Sequence, residues 1–218
     1  MRYDCALDEF AGCYIDLDDK WTRGEQRSYM LGVGDAYKLA VAVQKTFSLH
    51  LVTIDGVVLQ KSSDLTVENI DRMDHRLSVW FDTAIVMHIE WMHGVAQTLA
   101  KAWREKQDAR PVPADRRYAC DYPGFEDCFV QISDSWTRGD LRLLEEANTR
   151  QLIELLKTKV AAVHLPGIDN PSQFSIESTN ALDYTIWQWF AEAMIKGKVD
   201  LFSMGEARAR RSLAVSVN

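Results

Sequence analysis

The chain has 218 residues, 47% hydrophobic and 26% charged, with a formal net charge of −7. That balance is ordinary for a globular protein, and its acidity disfavours general nucleic-acid binding. No apolar run approaches the roughly 20 residues needed to cross a bilayer, and Asp4, Asp8 and Glu9 interrupt the opening, so a cytoplasmic protein with no membrane partner is expected.

Residues 2–17 read as β structure. Cys13, Ile15 and Leu17 alternate with Tyr14 and Asp16, which places the first three on one face. Residues 3–6 can pair with that strand through a loop at residues 8–12. Thr22 followed by Glu25 fits a capping box and starts a helix, which Gly32 and Gly34 are expected to break or loosen near its middle. Residues 49–54 and 57–60 flank Asp55-Gly56, a hairpin signal that favours a type I′ turn. Thr66 is a plausible cap. Beyond it Ile70, Met73, Leu77, Trp80, Phe81, Ala84, Ile85, His88, Ile89 and Met92 step by three and four, the core-facing stripe of an amphipathic helix. The helix is expected to continue past Gly94 over residues 95–106. Pro111 and Pro113, set among charges, mark residues 108–117 as a linker.

The order of features then returns. Arg2, Tyr3, Cys5, Phe10, Cys13, Asp19 and Trp21-Thr22-Arg23-Gly24 recur 115 residues on as Arg117, Tyr118, Cys120, Phe125, Cys128, Asp134 and Trp136-Thr137-Arg138-Gly139. Farther along the spacing shortens: His50 and Asp55 meet His164 and Asp169, and Asp74, Trp80, Phe81 and Ala84 meet Asp183, Trp189, Phe190 and Ala193. Drift through short loop deletions is what a duplicated domain accumulates. In this copy Pro123-Gly124 gives a turn and residues 128–132 repeat the strand. Thr137 and Asp140 repeat the cap, with Trp136 and Leu141 placed as a hydrophobic staple, and residues 138–160 read as one helix. Pro166 and Pro171 weaken the second hairpin, and Ser178 or Thr179 is the expected cap of the last helical region. The expected fold is α+β: two tandem repeats, residues 1–107 and 118–218, each a small antiparallel β structure packed with two helices.

Four cysteines, Cys5, Cys13, Cys120 and Cys128, are the first candidates for chemistry. Neighbouring strands could bridge each pair, and two copies packed about a pseudo-twofold could gather four thiolates around zinc. The spacing is not that of structural zinc, and cytosolic chains seldom keep disulfides, so small buried side chains are the leading reading. His88 lies in an apolar stripe, where a hydrogen-bonded core histidine is expected; His93 does not share its face, and His50 and His164 have no second ligand at fixed spacing. Trp21, Thr22 and Gly24, with Trp136, Thr137 and Gly139, read as an aromatic plug and helix cap at a strand–helix junction. Arg23 and Arg138 remain to face a partner. Trp91 and Trp187 fall beside the apolar stripe and mark an exposed contact. No phosphate-binding glycine loop, nucleophile elbow or zinc-protease helix occurs, and the acidic residues form no evident pair, so nothing supports an enzyme or a cofactor.

The run Cys128-Phe129-Val130-Gln131-Ile132, the junction Asp134-x-Trp136-Thr137, the segment Leu51-Val52-Thr53-Ile54-Asp55-Gly56 and a helix around residues 74–89 resemble the small proteins of long-tailed bacteriophage and prophage tail modules, the tail assembly chaperones or minor tail components. In that family the pattern occurs once; here it would occur twice, with Pro123-Gly124 only in the second copy. The resemblance implies no catalytic residues. It implies a binding role in the host cytoplasm, with a tape-measure or tail-tube protein as partner. A structural role in the virion neck or tail, a zinc-binding regulator using the four cysteines, and self-association stay open as alternatives.

Overall fold

The computed structural model describes residues 1–31, 35–146 and 148–215. It is an α+β fold with two small antiparallel sheets, and it divides into two compact units, Met1–Val95 and Ala96–Asn218. Among the described residues no helix is long and apolar enough to cross a membrane.

In the first unit β1 (Arg2–Asp4), β2 (Tyr14–Leu17), β3 (Thr46–Val52) and β4 (Val58–Leu59) form a sheet in that order, all antiparallel. The alternation read from the sequence is realised: Cys13, Ile15 and Leu17 are buried, Tyr14 and Asp16 less so. Leu49 and Leu51 of β3 extend this apolar face. Between β2 and β3 come α1 (Arg23–Leu31) and α2 (Asp35–Lys45); the break expected at Gly32 and Gly34 lies outside the described residues. After β4 follow α3 (Val67–Asp71), capped by the Thr66 hydroxyl, and the long α4 (His75–Asp108). Asp74 starts α4, its carboxylate accepting the Arg76 N–H at 2.8 Å. Leu77, Phe81, Ala84, Ile85 and Ile89 form the face that joins the sheet in one core. Each of the leucine, isoleucine and phenylalanine side chains, fully buried, contributes roughly 1.5–3 kcal/mol.

The second unit has β5 (Arg117–Ala119), β6 (Phe129–Ile132) and β7 (Val160–His164) in that order, with α5 (Arg138–Glu146), α6 (Thr149–Lys159), α7 (Ile176–Ala181) and α8 (Tyr184–Val215). Its strand register parallels the first unit's. Tyr3 opposes Ile15 as Tyr118 opposes Val130, Tyr14 opposes His50 as Phe129 opposes His164, and the register shifts between Asp16 and Leu17 as between Gln131 and Ile132. Asp183 caps α8 as Asp74 caps α4, accepting the Thr185 N–H at 2.8 Å.

Several expectations are corrected. Residues 138–160 are two helices, because Asn148 and Gln151 form a reciprocal capping box that starts α6. The cap of α7 is Ser175, whose hydroxyl accepts from the Ser178 N–H; Ser178 is its partner in the box, and Thr179 is buried, donating to the Ser175 carbonyl. The turn at Asp55-Gly56 is not type I′, since only Gly56 has positive φ, at 83°. Thr53 accepts the Gly56 N–H and donates to Val57, which makes a type I turn closed by a glycine bulge. The second hairpin is reduced to a bridge between Leu165 and Ile168, and among the described residues its sheet has three strands. By packing, the units part at Val95 and Ala96 inside α4, which runs on without interruption, and Trp103 belongs to the second core.

Gly197 marks the tightest approach of α8 to its sheet. A Cβ there would lie 1.9 Å from Ile132 Cδ1 and 3.1 Å from its Cγ1, and Ile132 is itself buried. Gly94 is also interior to a helix, but nothing lies within 4 Å of the Cβ it lacks. Gly197→Ala is expected to destabilise by about 1–3 kcal/mol through overpacking. Gly94→Ala should instead stabilise by about 0.5–1 kcal/mol through backbone entropy. Denaturant midpoints of the two variants, moving in opposite directions, check both.

Candidate functional site

The repeated junction is assembled from its caps. Thr22 and Glu25 form the expected box: the Thr22 N–H donates to Glu25 Oε2 at 2.7 Å, and the Glu25 N–H donates to the Thr22 hydroxyl at 3.2 Å. Thr137 and Asp140 do the same at 2.7 and 3.1 Å, so the shorter acid serves as well. A lysine that the sequence reading missed completes each box. Lys45, the last residue of α2, lies 2.9 Å from Glu25 and donates to the Lys20 carbonyl; Lys159, the last residue of α6, lies 2.7 Å from Asp140 and donates to the Ser135 carbonyl. Its signal was present as a lysine recurring at the same point before the third strand of each unit. Thr22, Glu25, Thr137 and Asp140 are therefore occupied with holding the chain.

The junctions differ in their aromatic plug. Trp21 is buried, and its indole N–H donates to the Asp18 carbonyl at 2.7 Å. His88 completes the cluster: its Nε2 donates to the same carbonyl at 2.8 Å, which leaves Nδ1 to accept from the Tyr3 hydroxyl at 3.2 Å. This is the hydrogen-bonded core histidine expected from the stripe. Burial pushes its imidazole below the ordinary value, and the bond to Asp18 opposes that shift. In the second unit Trp136 is only half-buried and its indole nitrogen has no hydrogen-bond partner. Gly197 occupies the fourteenth position of α8, as His88 does of α4, so that unit has no imidazole to offer.

The residues expected to meet a partner occupy unlike settings. Trp91 is 42% exposed on α4, with Met87 and Val95 exposed one turn to either side, an apolar patch in solvent. Trp187 is half-buried and packs onto the second core, its ring 5.8 Å from that of Phe190. Arg23 is half-buried at the first position of α1 and has a partner of its own; the side chain of Arg138 lies outside the described residues. The cysteines are free thiols. Burial raises Cys13 and Cys128 and pushes Cys120 up to about 12, so these three stay protonated at neutral pH and are poor nucleophiles. Among the described residues no group of three or more His, Cys, Asp or Glu is placed to hold a metal ion.

The concave site is one the sequence reading did not name. In the first unit α1, α2, α3 and α4 enclose a cleft of about 280 Å3. Leu39, Ala42, Val67, Ile70 and Phe81 supply its apolar lining; Tyr29, Lys38, Asp71, Ser78 and Asp82 supply the polar one. Tyr29 is buried, and its hydroxyl is bonded to the Asp82 carboxylate; burial first, and then that carboxylate, hold the phenol protonated. The Lys38 ammonium lies 5.7 Å from the Tyr29 ring centre. With two carboxylates against one ammonium, the lining carries one net negative charge. A protonated phenol, an ammonium and carboxylates around an apolar floor suit recognition by shape and charge.

The same helix positions of the second unit carry other side chains. Ser78 is the fourth residue of α4, and the fourth residue of α8 is Trp187. Lys38, the fourth of α2, corresponds to Leu152 in α6, and Asp82, the eighth of α4, to Ala191 in α8. Phe81 and Phe190 are both seventh. Trp187 and Leu152 pack on the second core. Positions that are polar in the cleft of the first unit are thus apolar in the second.

Lys159 first, then the Thr137 N–H and hydroxyl, hold the Asp140 carboxyl down at about 2. For both His88 and Asp140 the folded value lies below the unfolded one, so each adds stability that is complete above its unfolded pKa and is lost as pH falls. For His88 the loss begins below about 6.5, and for Asp140 it runs from about 4 to about 2. NMR titration should therefore put the His88 midpoint below about 6.5 and that of Asp140 well below about 3.9. A His88 midpoint above the ordinary value would show the imidazole to be charged in the fold. No protein-family model matches the chain, and neither the curated proteins nor the solved structures give a match.

Proposed function

We propose that this chain is a non-enzymatic binding protein of bacteriophage tail assembly, one that keeps a tape-measure or tail-tube protein competent for assembly in the host cytoplasm. The observation that carries the binding half is the first unit's cleft, apolar in its floor and lined by Lys38, Asp71 and Asp82, at helix positions that carry apolar side chains or Asn180 in the second unit. The exposed patch of Met87, Trp91 and Val95 adds a second surface of the kind interfaces use. The capped junctions and the protonated thiols leave the best-marked residues without catalytic work. The tail setting rests on the family resemblance, and we read the two units as copies of one ancestral module.

The test is co-expression with the tape-measure and tail-tube proteins of one tail module, followed by affinity purification of this chain. Retention of one of them, together with absence of this chain from purified particles by mass spectrometry, is the expected result. Trp91→Ala should weaken that retention by about ten-fold or more if the α4 patch is part of the interface, since truncating an interfacial tryptophan commonly costs about 2 kcal/mol. Retention of neither protein, with this chain well folded, would overturn the assignment.

A further inference from the structure

We infer that the first unit's cleft receives an aromatic side chain carried beside a positive charge, an indole next to a lysine or arginine, from the bound partner. This deepens the binding role proposed above and rests on it. The argument starts from the second unit, where the position that matches Ser78 carries Trp187: its ring lies against Phe190, centres 5.8 Å apart and planes at 36°, and it packs on the second core, as does Leu152. The first unit keeps the aromatic base, Phe81, but puts Ser78 where the indole would start. What remains is a cleft of about 280 Å3, just below the usual range of small-ligand pockets, roughly 300–1,000 Å3, and suited to one large side chain.

The charges specify the rest. Where the second unit has Asn180, Leu152 and Ala191, the first has Asp71, Lys38 and Asp82. A plug supplied by the chain itself needs no charge for recognition, whereas an incoming one gains register and rate from a complementary field. Both carboxylates are exposed, but Asp82 already accepts the Tyr29 hydroxyl, so Asp71 is the one assigned to an indole N–H or to a neighbouring cation.

Tryptamine, a cationic indole, is the probe, with indole-3-propionate as its anionic counterpart. Both are titrated into the full chain while the amide resonances of Ser78 and Phe81 are followed by NMR. Saturable shifts with tryptamine, and binding of the propionate weaker by about ten-fold, are expected. Ser78→Trp, which installs the second unit's own plug, should abolish the shifts at Phe81. Asp71→Asn should leave the melting temperature unchanged and weaken tryptamine by about three-fold. Equal binding of the two probes, or unchanged affinity in Asp71→Asn, would overturn the inference even if Ser78→Trp failed to fold. Tail-protein retention that survives Ser78→Trp would overturn the cleft as the docking point and leave the wider binding role standing.

Discussion

The node on which each unit depends is a lysine ammonium that binds the carboxylate of a capping box. Lys45 ends α2 and Glu25 lies in the first turn of α1, and the same ammonium reaches back to the Lys20 carbonyl in the segment that leads from β2 to α1. One cation thus ties together the exit from β2, the start of α1 and the entry to β3. The first N–H groups of a helix have no intrahelical partners, and a carboxylate that accepts one of them gains from a nearby cation without losing its cap. Lys159 and Asp140 repeat the arrangement. Because the node closes the β–α–α–β loop at its base, Trp21 and Trp136 are placed where the helix entry meets the core, and the apolar faces of the sheets and long helices follow.

Much of this was legible because it is local. Alternation over residues 13–17, the three-and-four stripe of α4 and the Thr-x-x-Glu box are short-range patterns with one physical meaning each, and they reappear in the fold. The errors came from competition between local signals or from distance. Asn148 with Gln151 is as good a box as Thr22 with Glu25, but it sits inside an apolar run that reads as one helix. Asp-Gly suits two kinds of hairpin, and the positive φ at Gly56 alone selected the bulged one. The division inside α4 could not be seen in the chain, because the helical stripe passes through Val95 and Ala96 unchanged and only long-range packing of Trp103 assigns the later turns to the second core. The cleft needed four helices brought together. One sign of it was present all the same: the sequence repeat sets serine against tryptophan at positions 78 and 187, a large change in size and polarity.

The two units solve one packing problem in two ways. In the first, the imidazole of His88 fills the space between helix and junction, sharing the Asp18 carbonyl with Trp21 and accepting from Tyr3. In the second, Gly197 removes that bulk and α8 closes onto Ile132, while Tyr118, the counterpart of Tyr3, donates to Asp200 at 2.6 Å beside Lys196. Among the described residues the indole nitrogen of Trp136 has no hydrogen-bond partner. A polar group left unpaired in a low-dielectric setting costs about 1–3 kcal/mol.

These choices bear on which unit carries function. A cavity forgoes dispersion contacts that a filled core would make, and a buried phenol bonded to a carboxylate is a costlier lining than leucine or alanine. The matching positions of the second unit carry Trp187, Leu152 and Ala191, where the first has Ser78, Lys38 and Asp82. Under the binding role proposed above, the cost of such a lining persists because selection acts on something other than stability, and for a charged cleft that something is an occupant.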